Sequence, residues 1–218
     1  MLQNTGLFGR PSCLPQPCPR PHAICCAGWL SHLIFMLPSL PIETAVPAAS
    51  QNDVFAKAPS FSKTEFRASL AMFATGVTIV TARTPSGVLV GLTANSFNSV
   101  SMSPPLILWS LSHAASSMAA LSTGSHYAIN ILAADQQALA ERFASKHGDR
   151  WDGVAFADGM AGAPLLTGAV ASFECFNRSQ YTEGDHVIFV GEVERCSHRP
   201  GAAPLLYHGG KFYTEHPL

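Results

Sequence analysis

The sequence has little of what many catalytic and binding sites are built from. It contains nine histidines and six cysteines, yet no HxxxH or CxxC pair gives a metal-ligand spacing, so no metal is expected. No GxGxxG turn opens a helix, which excludes a Rossmann dinucleotide binder. Net charge is −1 and no run of like charge occurs, so no nucleic-acid footprint and no polybasic membrane patch is present. Internal repeats and regular strand–helix–strand alternation are also missing, which argues against a doubly wound sheet.

Charge is scarcest at the start. Residues 1–50 hold eight of the sixteen prolines, four of the six cysteines (Cys13, Cys18, Cys25, Cys26) and only Arg10, Arg20 and Glu43 as charged side chains. Such a segment reads as an N-terminal extension rather than part of a packed core. Its apolar run, Ala23 to Leu37, is short for a membrane span. With Arg10 and Arg20 ahead of it and Val46-Pro47-Ala48 behind, it passes loosely as a secretory signal. The alternative is a true start at Met36, with the residues before it disordered or not made. The remainder is long enough for one domain with a sizeable core, placed at residues 61–214. Its two cysteines, Cys175 and Cys196, fall on separate predicted strands and are expected to be reduced and buried.

Positive signals begin with Gly91–Trp109, GLTANSFNSVSMSPPLILW. The segment starts as a strand, passes through small residues and ends in a second apolar strand. Thr93, Asn95 and Ser96 offer donors and acceptors, and Ala94 lets a flat ligand approach the backbone. No acid, base or thiol lies there, so it reads as a surface for a ligand that brings its own chemistry. An ordinary turn rich in Ser and Asn has the same composition.

Around it, periodicity predicts a mainly β chain. Ser62-x-x-Glu65 is a capping box for a helix whose Phe66, Leu70 and Phe73 share one face, with Gly76 ending it. Strands are predicted over Val77–Thr81, Val88–Phe97, Leu106–Leu111, His126–Leu132, Ala169–Tyr181, His186–Ser197 and Leu205–Tyr213. Short helices are predicted from Ala115 to Leu121 and, capped by Asp135, through Ser145. Short strands with a few helices argue a β-barrel with helical additions.

Five segments then fall in order: FATGVTIVTA (Phe73–Ala82), GLTANSFNSVSMSPPLI (Gly91–Ile107), ALAERFASK (Ala138–Lys146), GDHVIFVGEVE (Gly184–Glu194) and PLLYHGGKF (Pro204–Phe212). Together they resemble the flavin reductase family of short NAD(P)H:flavin oxidoreductases, the reductase partners of two-component flavin monooxygenases. The resemblance implies a split β-barrel of Greek-key type with about six strands, flanked by a few helices and usually homodimeric. It implies FMN or FAD as the flavin, NADH or NADPH as hydride donor, and a separate oxygenase that takes the reduced flavin. An enzyme consuming both nucleotides belongs in the cytoplasm.

The same resemblance assigns residues. Thr93, Ala94, Asn95 and Ser96 would line the flavin ring and ribityl chain. Ser110, Ser116 and Ser117 would form the phosphate region, with Lys146 as the nearest cation and Phe143 either core or flavin edge. His186, in Gly184-Asp185-His186, would lie beside the nicotinamide as the catalytic side chain. Tyr207, Lys211 and Tyr213 have a weaker claim on that pocket. Two rivals stay open: a split-barrel oxidase or oxygenase acting on its own substrate, and a non-enzymatic flavin carrier.

Overall fold

The computed structural model describes residues 58–216; the readings for residues 1–50, including Met36 and the four N-terminal cysteines, lie outside the described residues. Ser62 caps α1 (Lys63–Leu70) through the expected box. Glu65 N–H donates to Ser62 Oγ at 3.2 Å, and Ser62 N–H donates to Glu65 Oε2 at 2.8 Å. Those bonds hold the Glu65 carboxyl below its usual range. The helix ends well before Gly76, because the Met72 and Phe73 N–H groups turn back to Ser69 and Leu70, the tighter spacing of a 3₁₀ turn. Gly76 lies in β1 (Thr75–Gly76). The Phe66, Leu70 and Phe73 face is exposed rather than packed.

Seven strands form the main antiparallel sheet. They are β2 (Thr78–Arg83), β3 (Leu89–Ala94), β4 (Asn98–Met102), β5 (Pro105–Ser112), β6 (His126–Ile131), β9 (Ala171–Glu183) and β10 (His186–His198), in the order β3-β2-β6-β9-β10-β5-β4. The sheet curls until the chain just past β3 meets β5. There Ser96 Oγ accepts from Ser110 N–H at 3.0 Å and donates to its carbonyl at 3.2 Å. This seam makes the sheet a split barrel. A small sheet joins β1, β11 (Leu206–His208) and β12 (Lys211–Tyr213), and a hairpin joins β7 (Phe156–Asp158) to β8 (Pro164–Leu166).

Strands are more numerous than periodicity indicated. Residues 98–102, NSVSM, have weak strand propensity and become β4 only by pairing with β5. The C-terminal strand folds back at Gly209 and Gly210, whose φ values are +56° and +81°, a backbone region that glycine enters without strain. The helices also begin elsewhere. Helix α2 runs Met118–Thr123, and α3 runs Gln137–Ala144 after a 3₁₀ turn holding Asp135. Gln136, not Asp135, makes the cap: its Oε1 accepts from Ala133 N–H at 3.0 Å.

Inward residues of β2, β3, β5, β6, β9 and β10 fill the barrel. Trp109 stacks on Phe189 with ring centroids 4.6 Å apart, and Tyr127 meets Trp109 edge-on at 5.6 Å. Gly191 is required here, since a Cβ would lie 2.4 Å from the Tyr127 hydroxyl. Cys175 is buried in this cluster, and burial pushes its thiol pKa up to about 12. Cys196 is also free but exposed, unlike the expectation, because it lies on the part of β10 that extends beyond its pairing with β5. Asn130, which alternates along β6 with Ile129 and Ile131, is fully buried. Its amide donates to Thr81 Oγ1 at 3.1 Å and accepts from Leu166 N–H at 2.9 Å, pinning β8 across β2 and β6.

A second apolar layer covers the outside of β2 and β3. Val77, Ile79 and Leu132 pack there with Ala140 and Phe143 of α3 and with Leu205.

Candidate functional site

The site lies on this second layer, and strand alternation decides which residues reach it. Ala94 points into the barrel core, with Val90 and Leu92 packed against that core. Gly91, Thr93 and Asn95 take the opposite face. Gly91 must lack a side chain: a Cβ would lie 2.3 Å from the Phe143 ring and 2.9 Å from Trp151. Thr93 Oγ1 donates to the Ala140 carbonyl at 2.6 Å, fastening α3 to β3. Asn95 is exposed at the end of this row.

Three clefts follow one another along β3. The first, about 320 Å³, is walled by Val77, Thr93, Asn95, Ala144, Tyr207 and Phe212. The middle one, about 390 Å³, shares Thr93 and Ala144 with the first and adds Ser116, Ser117, Lys146 and Arg150. The outer one, about 310 Å³, shares those last four residues and extends past Leu89, Asp149 and Trp151. Residues far apart in the chain thus line one trough.

Two cations sit where the middle and outer clefts meet. Neither Lys146 nor Arg150 has a carboxylate partner among the described residues. Arg150 Nε donates to the Ser145 carbonyl at 2.9 Å and Nη1 to the Gly91 carbonyl at 3.1 Å. The guanidinium therefore latches the loop after α3 onto β3. Ser117 occupies the position before α2 without a side-chain cap bond, so its hydroxyl is not spent on the helix end. Hydroxyls and unpaired cations make a donor set suited to a phosphate.

The structure brings Thr93, Asn95, Ser116, Ser117, Phe143 and Lys146 to the trough. Phe143 is both core and wall: it is 1 % exposed and lines the middle cleft. The Ala94 side chain lies in the barrel, and Ser96 with Ser110 forms the seam. His186 lines none of these clefts. It opens β10 opposite Ser112, with Nδ1 2.7 Å from Asp185 Oδ1. That contact and the histidine charge hold the Asp185 carboxyl below its usual range.

Arg150, Trp151 and Glu141 line the trough although sequence reasoning passed over them. Arg150 and Trp151 follow Gly148-Asp149 in a stretch that reads as plain loop. Glu141 sits on α3, bonded to Gln137 at 2.9 Å, and looks like any solvent-facing helix residue. Among the described residues no group of three His, Cys, Asp or Glu could hold a metal, and no helix is long and apolar enough to cross a membrane.

A split barrel carrying a phosphate-suited trough is the frame of a flavin-nucleotide protein. The chain belongs to the flavin reductase family: the Flavin reductase like domain matches residues 70–216. It is 46% identical over 147 residues to the FMN reductase (NADH) SmoA of Agrobacterium fabrum, covering 67% of this chain and 83% of that protein. It is 35% identical over 152 residues to the flavin-dependent monooxygenase reductase subunit HsaB of Rhodococcus jostii, covering 70% and 77%. Among solved structures, it resembles the NADH:FAD oxidoreductase of Streptomyces globisporus in complex with NAD and FAD fragments. There the TM-score is 0.68 at 38% identity, over 72% of this chain and 94% of that one. The styrene monooxygenase flavin reductase of Pseudomonas putida matches with TM-score 0.65 at 33% identity, over 70% and 99%.

Proposed function

We propose that the trough holds the flavin that this reductase reduces with NADH or NADPH, its ring end over Thr93 and Asn95. The phosphate is held by Ser116, Ser117, Lys146 and Arg150. One observation carries this reading: two cations without carboxylate partners share a cleft with two serines, at the far end of a trough from a small polar strand face. Ala94 and Ser96 contribute through backbone at the ring end, while Ser110 acts indirectly by holding Ser96. When bound, the flavin supplies the hydride-accepting N5 and the nicotinamide supplies the hydride, so the chain need only bind and orient them.

His186 is the proposed nicotinamide-orienting residue. Its Nδ1 is bonded to Asp185, which leaves Nε2 for the nicotinamide carboxamide. It stands on the outward face of β10, in register with β5. The same face carries an apolar patch of Leu106, Leu108, Ile188 and Val190, flanked by Ser110, Ser112 and Glu192. This apolar face supports a homodimer, and light scattering at the mass of one chain would sink that reading. The relatives named as monooxygenase reductase components support delivery of reduced flavin to a separate oxygenase. Dependence on both nucleotides supports a cytoplasmic setting, which cell fractionation checks.

The test is nicotinamide oxidation by purified protein, with and without FMN, FAD or riboflavin. Turnover with NADH or NADPH is expected only with flavin added. Flavin binding without turnover by either nicotinamide would leave a carrier, and turnover of an organic substrate by tightly held flavin would leave an oxidase.

A further inference from the structure

Charge is divided along the trough. Lys146 and Arg150 line its middle and outer clefts, whereas Glu141 is the one charged residue among the walls of the inner cleft. Strand alternation keeps neighbouring cations off those walls. In the β11–β12 hairpin, Tyr207 pairs with Phe212 and His208 with Lys211. Tyr207 and Phe212 face the cleft, so His208 and Lys211 take the opposite face. Arg142, next to Glu141 on α3, is spent on the Asp152 carbonyl, to which it donates at 2.7 Å.

Glu141 itself keeps its charge unmatched. Gln137 Nε2 donates to Glu141 Oε1 at 2.9 Å, which orients the carboxylate along one turn of α3. That partner is neutral, and no cation pairs with Glu141 among the described residues. A carboxylate so placed discriminates between ligands that differ only in charge. Reduction makes such a pair of ligands. The hydride brings two electrons and one proton to a neutral ring, and the nicotinamide leaves as the oxidised cation. Until a solvent proton joins it, the reduced ring is one charge more negative than the oxidised ring. Glu141 acts weakly on the neutral form and repels the anionic one.

We infer that Glu141 makes the site prefer oxidised over reduced flavin, so that the ring end of the trough favours release of the product. The cations at the other end hold both forms alike, because reduction leaves the phosphate unchanged. Glu141 is thus a specificity-determining residue for the redox state of the ligand. The inference rests on the proposed placement of the flavin ring over Thr93 and Asn95.

Glu141→Gln is the direct test in the full chain, since the amide oxygen can keep the Gln137 bond while the charge is lost. Anaerobic titration measures FMN affinity in each redox state. Oxidised FMN should shift by less than about twofold. Reduced FMN should bind about fivefold more tightly, the worth of one screened charge pair. For a two-electron couple, that raises the midpoint potential of bound FMN by about 20 mV. Glu141→Lys should move the reduced form further in the same direction, by roughly 25-fold in all, as a second charge step of the same size. Salt screens both effects, so at about 1 M salt the parent and Glu141→Gln should converge. A merely structural role for Glu141 would move both redox states together and leave the potential where it is. That outcome overturns the inference, and so does an unchanged affinity for reduced FMN. Absence of oxidised FMN binding by the parent is a different failure: it removes the flavin placement, and the inference falls with it.

Discussion

Two apolar layers meet at β2 and β3, and they are built differently. Inside the barrel, Trp109, Tyr127 and Phe189 are jammed together, tight enough to demand glycine at 191. Outside, Phe143 and Trp151 form a thinner layer that demands glycine at 91, and its outer surface is the trough. The interior layer has no ligand-sized opening among the clefts described, and burial pushes the pKa of its one thiol, Cys175, up to about 12. The outer layer leaves cations, hydroxyls and a strand face open to solvent. The same two strands thus give a packed core on one side and an open, cleft-lined face on the other, where we place the flavin.

The sharpest way to break this contrast is Trp109→Ala. Truncating a fully buried aromatic should cost about 3–5 kcal/mol of stability, read by chemical unfolding. At temperatures where the variant stays folded, its flavin affinity should match the parent's. A loss of affinity larger than the folded fraction explains would show that the interior shapes the trough directly.

A smaller effect is expected at His186, which belongs to neither layer. His186→Ala should slow flavin reduction by about tenfold to a hundredfold, the worth of one positioning hydrogen bond, with flavin affinity nearly intact. Rapid mixing of flavin-loaded protein with NADH measures this. Loss of flavin binding along with rate would move His186 into the flavin site or the fold, and no change in either would leave it a turn residue.

Lys146→Ala sharpens the contrast at its mildest. FMN affinity should fall by about tenfold while riboflavin, which lacks the phosphate, is unaffected, a difference of about 1.4 kcal/mol. Thermal stability should not move, because Lys146 is exposed and has no ion-pair partner among the described residues. If riboflavin weakens equally, the lysine orders the loop rather than meeting a phosphate.

Much of this architecture could be read from residue order. Ser62 and Glu65 announce α1 because a capping box is a local bargain between two neighbouring side chains and two backbone groups. The alternating strands around Trp109, Ile129 and Phe189 announce a barrel interior, since a period of two puts alternate residues on one face. The five ordered segments mark the family, and with it the strand face carrying Thr93 and Asn95.

Other features depend on contacts that no local pattern records. Sequence could not show that Ser96 and Ser110 close a seam, because their bond joins strands from opposite ends of the sheet. Asn130 looks like the polar half of an alternation, yet its burial is decided by β8 crossing above it. Helix α1 shows the converse: its apolar face follows helical spacing, and within the described chain nothing covers it. Arg150 reads as a loop charge until the fold sets its guanidinium against the carbonyl of Gly91 and beside Ser116, Ser117 and Lys146. Sequence by itself determined the strand faces, the first cap and the kind of ligand the chain is made for, since these follow from neighbours along the chain. Only the tertiary structure decided where the trough runs, which cations it gathers and how far it extends past them, because those walls come from segments the chain must first bring together.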